Sequence, residues 1–207
     1  EHPEDLVDIT TAQDLLFGLS SVAHAADTPV DLVRDTSRQA LEMLSKDNGK
    51  NSAKVREQLI SMVTPKFDFQ RMTALAVGKD WRAATPAQKQ QLAKEFETLL
   101  VGTYSATMTR FKNAQIEIKP NVLLNNEGRE AVVKSEVTLP GSAEKKPINV
   151  DYTLYKTPQG WKVFNVTVEG GSLVTIYRNQ FGEQVRKSGI DGLIKSLQDK
   201  NSGAKAA

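Results

Sequence analysis

The sequence predicts one α+β domain, with amphipathic helices packed on a small, curved antiparallel sheet. Three observations lead there. Apolar residues recur at helical spacing from about residue 28 to 112. From Ala114 to Val168 the period falls toward two, and the period-two segments are joined by short turns. Helical spacing then returns after Gly170-Gly171. Helices grouped around a run of closely connected strands place the sheet in the antiparallel α+β class.

The first helix starts at Thr28-Pro29, an N-cap followed by proline at the first helical position, with Asp31 in the first turn. Val33, Ala40, Leu41 and Leu44 continue one face until Asn48-Gly49. A second helix near Ala53 to Val63 carries Val55, Leu59, Ile60 and Val63 and stops before Pro65; a third runs from Phe69 to Val77 and ends at Gly78. The fourth opens on Thr85-Pro86-Ala87-Gln88, a capping box. Its apolar face, Leu92, Phe96, Leu99, Leu100, Tyr104, Met108 and Phe111, predicts a helix to about Lys112.

Four strands follow: Gln115–Lys119, Glu130–Leu139, Pro147–Lys156 and Trp161–Val168. Pro140-Gly141-Ser142 and Thr157-Pro158-Gln159-Gly160 supply the turns between the last three. The final strand does not alternate cleanly: Trp161 and Val163 share one face, and Phe164, Val166 and Val168 the other. Ser172 reads as the N-cap of a last helix pair, with Leu173, Tyr177, Phe181 and Val185 at steps of four, a break at Gly189, then Leu193, Ile194 and Leu197. Residues 200–207 are expected to be a polar, flexible tail.

The first residues raise a separate question. In "DLLFGLSSVAHAADTP", Asp14 to Pro29, an apolar run ends in Ala23-His24-Ala25, a small-x-small cleavage pattern. Residues 1–14 hold five acidic residues and no Lys or Arg, unlike a secretory n-region. We read residues 1–25 as a signal-peptide-like leader with cleavage before Ala26, so that the domain proper is 26–199; an amphipathic helix of the domain is the alternative. The run is too short for a transmembrane segment.

Without the leader, 27 basic residues face 20 acidic ones, a net charge of +7 suited to anionic surfaces. The adjacent basic pairs Lys145-Lys146 and Arg186-Lys187 lack interleaved aromatics, so no nucleic acid partner is expected. There is no cysteine, and both histidines, His2 and His24, lie in the leader. Thiol chemistry, a Ser-His-Asp triad and a Cys- or His-ligated metal are thereby excluded from the domain. No cofactor or metal is expected, and the reading is not of an enzyme. The remaining catalytic option is a pair of carboxylates, from Asp151, Glu169, Glu95 and Glu97. Nothing in the alternation pairs Asp151 with Glu169. Apolar rows such as Ile148, Val150, Tyr152 and Leu154 fit either a filled core or a lined hollow between sheet and helices.

Two stretches carry a family resemblance. "FDFQRMTALAVGKDWRAATPAQKQQLAKEFETLLVGTYSATM" and "GWKVFNVTVEGGSLVTIYRNQFGEQVRKSGIDGLIKSLQ" look like the MlaC (toluene tolerance) family, and with the helix near Val30–Leu44 the resemblance spans about Thr28 to Gln198. One departure is Gly171, where a branched apolar residue is expected before Ser172-Leu173. The resemblance implies a monomeric periplasmic phospholipid carrier of nuclear-transport-factor-like shape. Its partners would be an outer-membrane lipoprotein complex and an inner-membrane ABC transporter complex, and its role would be in outer-membrane lipid asymmetry. The expected pocket lining is Tyr104, Met108, Val150, Tyr152, Leu154, Val166, Val168 and Leu173, with Tyr104 matching the family's cavity-facing helix tyrosine. The alternatives carried beside this are a ligand-free protein-interaction adaptor and a carboxylate-based nuclear-transport-factor-like enzyme.

Overall fold

The computed structural model describes residues 28–141 and 146–206; the leader and Lys145 lie outside the described residues. Among the described residues five α-helices, α1 (Pro29–Ser45), α2 (Ser52–Val63), α3 (Phe69–Val77), α4 (Pro86–Ser105) and α5 (Leu173–Ala206), accompany six strands. The strands are β1 (Gln115–Ile118), β2 (Leu123–Asn125), β3 (Glu130–Thr138), β4 (Ile148–Thr157), β5 (Gly160–Val168) and β6 (Gly171–Ser172). The sheet runs β1-β3-β4-β5-β6 with β2 also paired to β3, and every ladder is antiparallel.

Side chains fix the helix starts. The Thr28 hydroxyl accepts from the Asp31 N–H at 3.0 Å, and the Asp68 carboxylate accepts from the Arg71 N–H at 3.0 Å. At α4 the capping box closes both ways, Gln88 N–H to Thr85 Oγ1 at 3.1 Å and Thr85 N–H to Gln88 Oε1 at 2.9 Å.

Three features differ from the sequence expectation. Helix α4 ends at Ser105, not near Lys112: the N–H groups of Thr107, Arg110 and Lys112 reach only three residues back, winding Met108–Phe111 as a 3₁₀ turn. Its three-residue period puts Met108 and Phe111 together against the α1–α2 pair. The two-residue β6 is not among the four expected strands, and neither is β2. It is three residues long, all exposed, so it has no alternation to detect. The tail from Lys200 continues α5 to Ala206, and the buried Asn201 amide donates to the Glu95 carbonyl and carboxylate at 3.0 and 2.6 Å.

The uneven alternation of β5 has a definite cause. Thr153 pairs with Asn165 but Leu154 pairs with Val163, so Phe164 is the extra residue of a β-bulge. The bulge lets Trp161 and Val163 share a core side with Val166, while Phe164 turns into the helical core of α3, α4 and α5. There Phe96 meets Tyr177 and Phe181 edge-on, with centroids 5.1 and 5.2 Å apart.

Arg71 fastens α3 to the sheet. Its guanidinium lies 4.0 Å from the Tyr155 ring centroid and 4.3 Å from that of Phe164, and it pairs with Glu130 at 2.7 Å. Tyr155 in turn donates to Asp68. Because both ion-pair side chains are partly exposed, the charge pair contributes less than about 1 kcal/mol, and stacking on two rings is the larger effect. Arg71→Lys keeps the charge and loses the planar stack; we expect a loss of about 1–2 kcal/mol in urea unfolding. Gly189 interrupts α5 at φ 72°, ψ −175°, a region open essentially to glycine alone. A Cβ there would meet nothing within 4 Å, so Gly189→Ala should cost about 1–3 kcal/mol from backbone strain alone, read in the same unfolding measurement.

Candidate functional site

Between α1, α2 and the sheet lies a first hollow of about 370 Å³ (chamber A). It is walled by the Val33, Ala40, Leu41 and Leu44 face of α1, by Leu59 and Val63, and by Ile116, Val137, Ile148, Val150 and Tyr152 of the strands. A second hollow of about 370 Å³ (chamber B) lies toward α3, α4 and the start of α5, lined by Ile60, Phe69, Met72, Leu100, Tyr104, Val166, Leu173 and Ile176 among others. Val63, Phe67, Met108 and Val168 line both, so the chambers meet along a shared wall. Phe67 is held in that wall by stacking on Phe69, centroids 5.8 Å apart, and by a bridge to Val163.

The α1–α2 wall is braced at its turn. Asp47 Oδ1 accepts from the Gly49 N–H at 2.9 Å and the Ser52 hydroxyl at 2.7 Å, and the Lys112 ammonium donates to the Asp47 carbonyl. The Ser52 hydroxyl and then the Gly49 N–H hold the Asp47 carboxyl below its ordinary range.

Of the residues singled out from the sequence, Val150 and Tyr152 line chamber A, Tyr104, Val166 and Leu173 line chamber B, and Met108 and Val168 line both. Leu154 is the exception. It is 0% exposed and packs with Ala131, Val133, Trp161 and Val163, because the first turn of α1, Leu32 and Val33, closes on the sheet at that end and fills the space. Gly171, the noted departure, lies on the lining of chamber B, and a Cβ there would meet the Val168 carbonyl at 3.4 Å and Ile176 at 4.0 Å, both ordinary contacts. Sequence reasoning missed Phe67, Phe111, Ile116, Val137 and Ile148 as lining. The α1 face was visible as a period, but nothing in the period says whether a face meets atoms or space.

Tyr104, Val168 and Ile176 are exposed and give chamber B an apolar rim. Burial, helped by the neighbouring Tyr177, raises the Tyr104 phenol above its ordinary value. Asp151 and Glu169 line neither chamber. Asp151 stands opposite Lys134 and Thr167 in the ladders, and Glu169 accepts the Asn149 N–H at 2.6 Å at the strand end.

Burial alone raises the Tyr152 phenol above its ordinary value of 10. The folded state therefore favours the neutral phenol. Its contribution to stability is complete below the unfolded value of about 10 and is lost as pH rises through the higher folded value. Urea midpoints between about pH 9 and 11 should fall for the wild type, and the fall should be shallower in Tyr152→Phe.

Fold and cavity define the class: a small α+β domain with an open antiparallel sheet and two joined apolar hollows between sheet and helices. Comparison with known proteins makes this specific. The family model described as MlaC protein matches residues 34–199, and the chain belongs to that family. It is 28% identical over 181 residues to the toluene tolerance protein ttg2D of Pseudomonas putida, covering 86% of this chain and 82% of that protein. Among solved structures, the phospholipid-binding protein from Ralstonia solanacearum, in complex with a phospholipid, superposes with a TM-score of 0.72 at 30% identity, over 84% of this chain and 96% of that one. No helix among the described residues is long and apolar enough to cross a membrane.

Proposed function

We propose that this protein is a periplasmic phospholipid carrier that holds acyl chains in its two joined chambers and passes the lipid between membrane complexes. The observation that carries the reading is the contrast within one domain: the α4–α5 interior around Phe96 and Phe181 is packed, while two joined apolar hollows lie between the sheet and the helices. Each methylene withdrawn from water contributes about 0.8 kcal/mol, so ten of them, about 8 kcal/mol, offset much of the association cost without any reaction. The apolar rim of Tyr104, Val168 and Ile176 gives a chain a path from membrane to interior. Family membership and the phospholipid held by the Ralstonia solanacearum relative support the lipid class. The partners we propose are an outer-membrane lipoprotein complex and an inner-membrane ABC transporter complex, and the protein acts as a monomer.

Native mass spectrometry of protein purified from the periplasm, followed by solvent extraction, tests this directly. We expect a phospholipid on a chain beginning at Ala26. A protein that stays empty when offered lipid vesicles would favour the adaptor reading instead. Met108→Trp, at the wall shared by both chambers, should lower the lipid recovered per chain several-fold with little change in the unfolding midpoint, because the larger ring occupies existing space.

A further inference from the structure

Among the residues lining the two chambers only one is charged, Lys66, and it lies beside chamber A. Besides the Tyr152 phenol, two hydroxyl side chains, Thr36 and Ser37 of α1, line the same chamber. None of the three has a hydrogen-bond or ion-pair partner among the described residues. That is unusual for this protein's helical threonines: Thr73, Thr98 and Thr103 each donate to the carbonyl four residues back, at 2.6, 3.0 and 2.7 Å. Among the described residues no unpartnered side-chain polar atom is sealed away in the interior, and these three partly exposed side chains line the chamber.

Their positions converge. Helices α1 and α2 are joined by a short turn and pack together, with Leu44 and Ala40 in one cluster with Leu59 and Val63. Lys66 closes the 3₁₀ turn Thr64–Lys66 that follows α2, and it lines chamber A together with Thr36 and Ser37. The three groups are polar members of a largely apolar lining in chamber A, whereas Tyr104 and Ile176 line chamber B alone.

We propose that Lys66, with the hydroxyls of Thr36 and Ser37, is the phosphate-recognition site for the bound lipid, so that the protein selects phospholipids over neutral diacyl lipids. An ammonium and two hydroxyl donors suit a phosphodiester, which is anionic and accepts several hydrogen bonds, and charge-assisted bonds are stronger than neutral ones. A diacylglycerol with the same chains fills the chambers equally well and leaves the ammonium unpaired. This site rests on the lipid-carrier reading and names what that reading leaves open, the part of the lipid that is recognised.

The test offers the protein vesicles containing equal amounts of a phosphatidylglycerol and a diacylglycerol with identical acyl chains, then re-isolates it and quantifies extracted lipid. Wild type should recover the phospholipid about tenfold over the diacylglycerol. Lys66→Met should bring the ratio near one while total lipid per chain is kept, which also establishes that the variant is folded. The double variant Thr36→Val, Ser37→Ala should give an intermediate ratio. Lys79→Met, an exposed lysine that lines neither chamber, should retain the wild-type ratio. An excess of inorganic phosphate should not reverse the preference, since the acyl chains supply most of the affinity; reversal would assign the groups to free phosphate and overturn the proposal. It is equally overturned if Lys66→Met keeps the preference, or if wild type takes both lipids alike, in which case lipid binding itself stands. Wild type taking neither lipid would remove the site together with the carrier reading.

Discussion

The one-residue slip in the β4–β5 ladder governs the interior. Were Phe164 an ordinary ladder residue and not a bulge, strict alternation would send Val166 and Val168 to the opposite side from Trp161 and Val163. With it, Trp161, Val163 and Val166 join one core, Val163 and Val168 both reach chamber A, and Phe164 is released to key into the helices. The same phenyl ring forms one side of the stack around Arg71, whose other side is Tyr155. A single irregularity thus serves both a filled core and an unfilled one.

A hollow forfeits contacts that a packed interior would have, and that loss must be met elsewhere. Here the compensation is segregated. Phe96, Phe181, Met72, Leu92, Leu193 and Leu197, all essentially inaccessible, concentrate packing in α3, α4 and α5, on the far side of Phe164 from chamber A. The α1–α2 pair, which makes the chamber wall, has only a small cluster of its own around Leu44, Val55 and Leu59, and depends on the Asp47 turn and Lys112 for its position.

Much of this was legible in the sequence because it is written in local chemistry. Thr28-Pro29 and Thr85-Pro86-Ala87-Gln88 announce their helices by capping, and turn residues separate β3, β4 and β5. What escaped was set by tertiary context. Met108 and Phe111 keep α-helical spacing with Tyr104, so only the fold could reveal that the backbone tightens after Ser105. Leu154 shares its strand face with Val150 and Tyr152, yet the first turn of α1 covers it and leaves them facing space. The broken alternation of β5 was plain to see but did not by itself distinguish a bulge from a change of face. Lys66 carries no local signature; its meaning comes from the apolar walls around it.

The wall between the chambers is made of Val63, Phe67, Val168 and the thioether chain of Met108. Phe67 is anchored by stacking and by its bridge to β5, whereas methionine rotates among several conformations at low energetic cost. A partition that combines a fixed ring with a pliant thioether does not impose one chain length on each side. It lets volume pass from one compartment to the other, so under the proposed carrier function occupants would be sorted by their total bulk, with unsaturated, branched or unequal tails tolerated alike.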